Sequence, residues 1–375
     1  MTNSIMRRTY RFRLKPTKKQ DRALAHSLEI CREAHNAGLQ ERRDAWRTCR
    51  KSVSYYDQSA QIKPIRAIRP DVEAVAFVFI REALRRLDRS FQNFYRRVKR
   101  KEFPGFPRFK SPDRYDSLTI YSSHFSLDDG RVKLPKIGCV RFKAHRKIKG
   151  TPKQCTIKRL GSKWQVSIVC DLGPVPEKLP VRNAVGMDVG LATFATLSDG
   201  GEVQNPRWTW QAADEVAAKN QALSRKQRGS KNRQKAKEAL RGAHQRIANR
   251  RLNFCHQVSK DLVSKYDLIA FEDLRVPPLL RGTFSKAVLD TAWKTLIFCI
   301  TYKAANAGRW AVPVDPRGTT QRCSACGDTV HKDLAERVHS CPRCGLILGR
   351  DHNAAINILQ AGRACAGLQS QEGSS

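Results

Sequence analysis

The chain has 375 residues, 40% of them hydrophobic, enough for two or three packed units with real cores, which excludes a disordered polymer. Its 71 Lys and Arg stand against 34 Asp and Glu, a formal net charge of +37 that points to a polyanionic partner, with nucleic acid ahead of an anionic membrane surface. No apolar run approaches the ~18 residues of a spanning helix, the first residues lack the apolar stretch of a signal peptide, and most of the twelve cysteines are scattered, so a cytoplasmic protein with reduced thiols and no membrane partner is expected.

Residues 5–14, IMRRTYRFRL, alternate apolar and basic side chains like a strand with one wet, positive face, and Pro16 ends it. From 18 to 48, Leu24, Leu28, Cys31, Ala34 and Leu39 recur at helical spacing. A second helical stretch covers 71–101, beyond a polar connector broken by proline. Residues 81–110 carry eleven Lys/Arg against three acids, with Phe91, Phe94, Tyr95, Phe103, Phe106 and Phe109 interleaved. Such basic groups can neutralise phosphates, while the aromatics either stack on bases or fill a core stripe.

From 117 to 172, short alternating runs separated by turn signals predict a small β-unit, read as a barrel. Between Arg131 and Lys163 it has twelve Lys/Arg and no acid, a surface suited to a nucleic-acid backbone. The strand at 5–14 has no partner nearby in sequence. It is therefore expected to join this sheet, with the helical section as an insertion in it.

After a Pro-rich linker, NAVGMDVGLATFATLSDGGEV predicts a strand ending on Asp188, a second strand and a hairpin into a third. A polar helical region follows over 210–266, with twelve Lys/Arg and one acid between Lys219 and Arg251. YDLIAFEDL predicts a buried strand ending on Glu272, residues 287–307 an amphipathic helix, RWAVPVDP a further strand and DHNAAINILQ a last helix opened by Asp351. That order, with acids at the ends of two strands and the start of the last helix, is the layout of an RNase H-like α/β domain. In-line hydrolysis of a phosphodiester is well served by two divalent ions about 4 Å apart, and Mg²⁺ takes hard carboxylate ligands. Asp188, Glu272 and Asp351 are the candidate Mg²⁺ ligands and catalytic acids. Asp273 competes with Glu272, since neighbouring strand residues face opposite ways and only one of them can point at the site.

Cys323, Cys326, Cys341 and Cys344 form CxxC, fourteen intervening residues, CxxC. Four thiolates complete a closed tetrahedral zinc site, which leaves no open position for substrate and so has a structural role. His331 and His339 lie in the intervening loop and are expected to be exposed.

GMDVGLATFATLSDG, FEDLRV, PRGTTQRCSACG and CPRCGLILGRDHNAAINIL strongly resemble the TnpB family, transposon-encoded RNA-guided nucleases related to type V CRISPR effectors. The resemblance covers about residues 183–360; the N-terminal half is similar only in architecture. It implies a RuvC-like nuclease domain using Asp188, Glu272 and Asp351 with Mg²⁺, a zinc-binding insertion, a guide RNA from the transposon end, and cleavage of double-stranded DNA beside a short transposon-associated motif. The implied domains are a β-barrel wedge domain (1–15 and 113–180) interrupted by a helical recognition domain (16–112), and a RuvC-like domain (181–318 and 348–361) interrupted by the zinc ribbon (319–347). The last residues, 362–375, read from their own composition as a short disordered tail. The chain has Thr320 where serine is common in the family, and VPPLLRGTFSKAV, after Glu272, carries prolines and lacks a methionine often found there, which bears on a lid loop.

Some relatives have lost the acids and act as RNA-guided repressors; all three acids here favour an active nuclease, a single copy of which is expected to act. A nuclease-inactive regulator that binds DNA, guided or nonspecifically, is the alternative from another class. A transposase that joins DNA ends on the same fold is a third.

Overall fold

The computed structural model describes residues 5–274, 291–333 and 336–368, and the chain divides into two compact units, Met1–Pro174 and Val175–Ser375.

The first unit opens with β1 (Ile5–Lys15), whose Tyr10, Phe12 and Leu14 are buried while Arg7, Arg11 and Arg13 are exposed, the alternation a half-buried strand requires. Helix α1 (Lys18–Cys49) starts on a capping box: Gln20 N donates to Thr17 Oγ1 at 3.3 Å and Thr17 N donates to Gln20 Oε1 at 3.0 Å. The short helices α2 (Tyr55–Ala60), α3 (Ile62–Ile68) and α4 (Pro70–Glu73) lead to α5 (Phe77–Lys99). The helix expected over 71–101 is thus split: residues from Pro70 form a separate turn, and the continuous helix begins at Phe77. Leu39 of α1 meets Leu87 and Phe91 of α5 in a small buried cluster.

Strands β2 (Ser117–Tyr121), β3 (Ser126–Asp128), β4 (Arg131–Leu134), β5 (Gly138–Phe142), β6 (Thr151–Leu160) and β7 (Lys163–Pro174) follow. With β1 they make an antiparallel seven-stranded sheet in the order β2-β6-β7-β1-β5-β4-β3. The N-terminal strand therefore sits inside the sheet, with Tyr10 opposite Ile168 and Phe12 opposite Val166. Trp164, Val166, Ile168 and Cys170 of β7 join its buried face. Trp164 Nε1 donates to Asp21 Oδ1 at 2.6 Å, tying α1 to the sheet.

In the second unit β8 (Ala184–Asp188), β9 (Thr193–Leu197) and β10 (Glu202–Gln204) run antiparallel to one another. Helices α6 (Trp208–Gln211), α7 (Ala213–Ser224) and α8 (Lys231–Lys265) precede β11 (Leu268–Glu272). Then come α9 (Trp293–Asn306), β12 (Trp310–Val314), the hairpin β13 (Val338–Ser340) and β14 (Ile347–Gly349), and α10 (Arg350–Cys365). The sheet order is β10-β9-β8-β11-β12, with β11 parallel to both β8 and β12.

Strand parity divides this sheet between two helix layers. Val185, Met187, Ile269 and Phe271 face the cluster that includes Leu262 of α8 and Leu296 and Ile300 of α9, whereas Leu268, Ala270, Val312 and Val314 face Ile358 of α10. Gly186 and Gly362 set how close α10 comes. A Cβ on Gly186 would collide with the backbone of Ala355 and Leu359, and one on Gly362 with Ala270.

The disordered tail expected over 362–375 is corrected at its start: α10 continues to Cys365 and Gly362 is buried, because that turn still packs on β11, and residues 369–375 lie outside the described residues. The proline-rich segment after Glu272, and residues 287–290 of the helix expected over 287–307, lie outside the described residues. Among the described residues no helix is long and apolar enough to cross a membrane, and no two cysteines are joined by a disulfide.

Candidate active site and metal centre

Asp188 and Glu272 end the two central parallel strands. The β8–β11 register runs to Met187 opposite Phe271, so the acids leave the same sheet edge side by side. Parity separates Glu272 from its competitor. Glu272 shares the α10-facing side with Leu268 and Ala270 and is buried, while Asp273 follows the strand and is exposed. Asp351 lies in the first turn of α10, where an acid is favoured by the helix dipole. The glycine-mediated approach of α10 to β8 carries it towards Asp188.

The electrostatics record this convergence. Burial, reinforced by the negative charges of Glu272 and Asp351, pushes the Asp188 carboxyl up to about 7, against the pull of the Val189 N–H and Arg350. Burial also raises Glu272, opposed by Thr319, whose Oγ1 donates to Glu272 Oε1 at 2.6 Å. Arg350 Nε donates to Asp351 Oδ1 at 3.3 Å, and the same guanidinium eases ionisation of Asp188. A buried aspartate whose ionisation is opposed by two neighbouring carboxylates, all hard oxygen donors, fits a divalent cation site.

The four cysteines meet at one point. Among the described residues they form the one group of metal-ligating side chains whose ligand atoms all lie within 4.8 Å of one another. Three carboxylates serving two ions about 4 Å apart need not be so compact. The Sγ atoms of Cys323 and Cys344, and of Cys326 and Cys341, are 3.6 Å apart. That is far beyond a disulfide bond and close to the ~3.8 Å edge of a tetrahedron with zinc–sulfur bonds of ~2.3 Å. Both CxxC turns close identically: Gly327 N donates to Cys323 O and Gly345 N to Cys341 O, each at 2.9 Å, with both glycines left-handed at φ +77° and +74°. Burial raises the Cys323 thiol, but the N–H groups of Cys326 and Ala325, with His339, outweigh it and bring it down to about 5. Cys344 is favoured as a thiolate by the Leu346 N–H, yet burial and the surrounding thiols push it up to about 12. Four sulfur donors gathered at this spacing fit a zinc ion. His331 is exposed as expected, whereas His339 is fully buried beside the cluster, with its Nδ1 against Lys332 Nζ.

Sequence reasoning missed the side chains that join the two centres. Asn353 Nδ2 donates to Arg322 O at 2.8 Å and its Oδ1 accepts from Ser324 N at 2.9 Å; Asn357 Nδ2 donates to Thr319 O at 2.8 Å and Arg322 O at 2.7 Å; Gln360 Nε2 donates to Ser324 O at 3.0 Å. This row along α10 grips the turn that enters the first CxxC. Amides recurring at 353, 357 and 360 on an otherwise apolar helix face were the available signal. Likewise it is Thr319 that is buried against Glu272, while Thr320 is exposed.

Acids closing parallel strands beneath a helix, with a tetrathiolate knuckle spliced directly ahead of that helix, define a RuvC-like region in a Cas12f-like fold. The fold aligns with a Cas12f1 solved as its complex with sgRNA and target DNA at a TM-score of 0.57 and 13% identity, over 91% of this chain and 83% of that one. Family models match residues 167–281 ("Probable transposase", OrfB of IS605), 293–358 ("Cas12f1-like, TNB domain") and 4–51 ("Helix-turn-helix domain"). In this structure that last span is one strand and one continuous helix. A Streptomyces pristinaespiralis protein named "Putative RNA-guided DNA endonuclease" is 32% identical over 96% of this chain and 90% of its own. Its Escherichia coli K12 counterpart of the same description, InsQ, is 28% identical over 95% and 92%. The chain belongs to the TnpB family, the OrfB transposases of IS605-type elements.

Proposed function

We propose that this protein is an RNA-guided, Mg²⁺-dependent endonuclease that cuts double-stranded target DNA beside a short transposon-associated motif. What supports the reading is that Asp188 and Glu272 end neighbouring parallel strands while Asp351 opens the helix packed on the first of them, near enough for the charges of Glu272 and Asp351 both to oppose ionisation of Asp188. In this reading the three carboxylates would hold two Mg²⁺ ions, and the metal would supply activation of the attacking water and a counter-charge for the leaving oxygen. Asp188 and Glu272 provide ligands fixed by the sheet, Asp351 provides one fixed by α10, and Thr319 orients Glu272. The cysteine knuckle holds zinc and anchors the N-terminal end of α10.

The relatives support the division of labour: the named relatives carry the description of RNA-guided DNA endonuclease, and the aligned Cas12f1 was solved with an sgRNA and target DNA. Base pairing with a guide from the transposon end would select the sequence, while the net charge of +37 holds phosphates by charge and shape. The seven-stranded sheet serves as the β-barrel wedge domain and the helices at 16–112 as the recognition domain, with one copy acting in the cytoplasm.

The test is to purify the protein with RNA co-expressed from its transposon end and supply DNA matching that RNA. Cutting with Mg²⁺ that is abolished by chelation and by Asp188→Ala is expected. Cutting undiminished in Asp188→Ala overturns the assignment of the acids, and tight binding without product under any divalent metal replaces this reading by a nuclease-inactive regulator.

A further inference from the structure

The aromatic side chains interleaved with basic ones at the end of α5 have separate roles. Phe91 is buried, and Phe106 stands edge-on to it and to Phe94, with ring centres 5.7 and 5.4 Å apart. Phe109 lies under the Arg43 guanidinium at 5.4 Å. These rings have packing partners at the base of the loop that leaves α5, although Phe106 and Phe109 stay 48% and 45% exposed. Phe103 does not, and is 92% exposed, with Tyr95 and Val98 on the neighbouring helix turn also exposed, at 58% and 50%.

The loop that carries Phe103 is built to hold it there. Glu102 N donates to Arg97 O at 3.0 Å, Arg97 Nη1 donates to Pro104 O at 3.1 Å, and the Asn36 side chain takes both backbone groups of Lys110, at 2.8 and 3.0 Å. Pro104 restricts Phe103 to extended backbone. Gly105, at φ +59°, turns the chain straight after it. With the backbone held, contact costs the loop less conformational entropy than it would cost a free segment. Around it, residues 96–110 carry seven Lys/Arg (Arg96, Arg97, Lys99, Arg100, Lys101, Arg108 and Lys110) and one acid, Glu102. A second copy of this chain would bring the same positive charge to the patch, so charge complementarity selects a polyanion with flat faces.

We propose that Phe103 is a stacking finger, lying against an unpaired base of a single-stranded polynucleotide whose phosphates are held by the surrounding cations, Arg100 and Lys101 among them. The proposal rests on the nucleic-acid reading above and gives it one specific contact. Base–aromatic stacking tolerates any base because each has a π-face, which suits a protein whose sequence choice is delegated to a guide.

The test uses the full-length protein with a short oligoribonucleotide and an oligodeoxynucleotide of the same sequence, each containing 2-aminopurine, whose fluorescence reports stacking. Phe103→Ala is expected to weaken binding about five- to hundredfold, the range corresponding to removal of one stacked base. It should also reduce 2-aminopurine quenching and leave the slope of log affinity against log salt unchanged. Phe103→Trp should restore both signals, and Phe103→Leu, which keeps apolar area without a π-face, should not. The double variant Arg100→Gln, Lys101→Gln should instead lower the salt slope, by roughly 0.7 for each phosphate no longer neutralised. The strand that is weakened more by Phe103→Ala identifies whether RNA or DNA is the occupant. If the wild type binds both strands and Phe103→Ala matches it in affinity and quenching, the stacking finger is overturned and the nucleic-acid reading stands. If the wild type binds neither, both fall.

Discussion

The Thr319 hydroxyl donates a 2.6 Å hydrogen bond to Oε1 of Glu272, and both partners are buried. The backbone carbonyl of the same threonine accepts from Asn357 on α10, which also holds Arg322 at the threshold of the first CxxC. One residue therefore connects a strand-end acid, the last helix and the cysteine knuckle. Thr319→Val keeps the shape and removes the donor. A hydrogen bond to a charged group contributes about 1.5–3 kcal/mol, so single-turnover DNA cleavage is expected to fall roughly ten- to hundredfold, with more Mg²⁺ needed for half-maximal rate. Thr319→Ser should recover most of the loss. A Thr319→Val enzyme with wild-type rate and Mg²⁺ response would show that Glu272 needs no such orientation.

Gly186 tests the geometry from the other side. A Cβ there meets the backbone of Ala355 and Leu359, which cannot step aside as a flexible side chain could. Gly186→Ala should lift α10 from β8 and cost about 1–3 kcal/mol by overpacking. Because Asp351 rides on α10, cleavage should fall at least tenfold although the substituted residue itself carries no chemistry. Thermal unfolding and a cleavage assay on the same preparation check this. A stable, fully active Gly186→Ala protein would contradict the close approach.

The acids also predict how stability depends on pH. Asp188 is raised from an ordinary carboxyl value to about 7 and Glu272 is raised as well, burial being the first cause for both. The folded state then holds protons that the unfolded state has already released, so the stability these groups provide is full below the ordinary carboxyl pKa near 4 and is lost as pH rises towards 7. Without divalent ions the melting temperature should decline across that window, and Asp188→Asn should flatten the decline. Mg²⁺ should stabilise the protein more at pH 8 than at pH 6, since it replaces the protons. Differential scanning fluorimetry with and without Mg²⁺ measures both; an Asp188→Asn protein that keeps the full slope would remove Asp188 as its source.

Much of this architecture is legible because its signals are local. Apolar runs ending on Asp188 and Glu272 mark the strands, and the alternation in residues 5–14 marks β1. The place of β1 between β7 and β5 follows from a simple argument, that an amphipathic strand without a neighbour in sequence must find one elsewhere. What escaped is set by tertiary contact. The closeness of α10 depends on Gly186 and Gly362, whose significance appears only once a backbone lies across them. Thr319 rather than Thr320 reaches Glu272 because of the turn that follows Pro316, and two adjacent threonines look alike in sequence. His339 was expected in solvent because four cysteines already complete a zinc site, but a small knuckle has so little interior that its hairpin buries the ring against them.

The knuckle's link to α10 gives the last prediction. β14 ends on Gly349, the residue that caps α10, and Asp351 is two positions further on. Asn353 and Gln360 meanwhile hold Ser324, inside the first CxxC. Loss of zinc should therefore loosen the start of α10 as well as the knuckle. Replacing Cys341 and Cys344 together by serine removes half of the thiolates, and a structural zinc site with two ligands should not retain its ion. The variant should purify without zinc, melt at lower temperature and cleave at least tenfold more slowly. Its affinity for nucleic acid should change much less, because the Lys and Arg residues that dominate binding are spread over the whole chain. Zinc content by metal analysis, paired with cleavage and binding assays, distinguishes this from general misfolding, in which affinity would collapse as well. A double-serine protein with full zinc and full activity would show that the four sulfurs, although 3.6 Å apart in pairs, are not the ligands that hold the knuckle together.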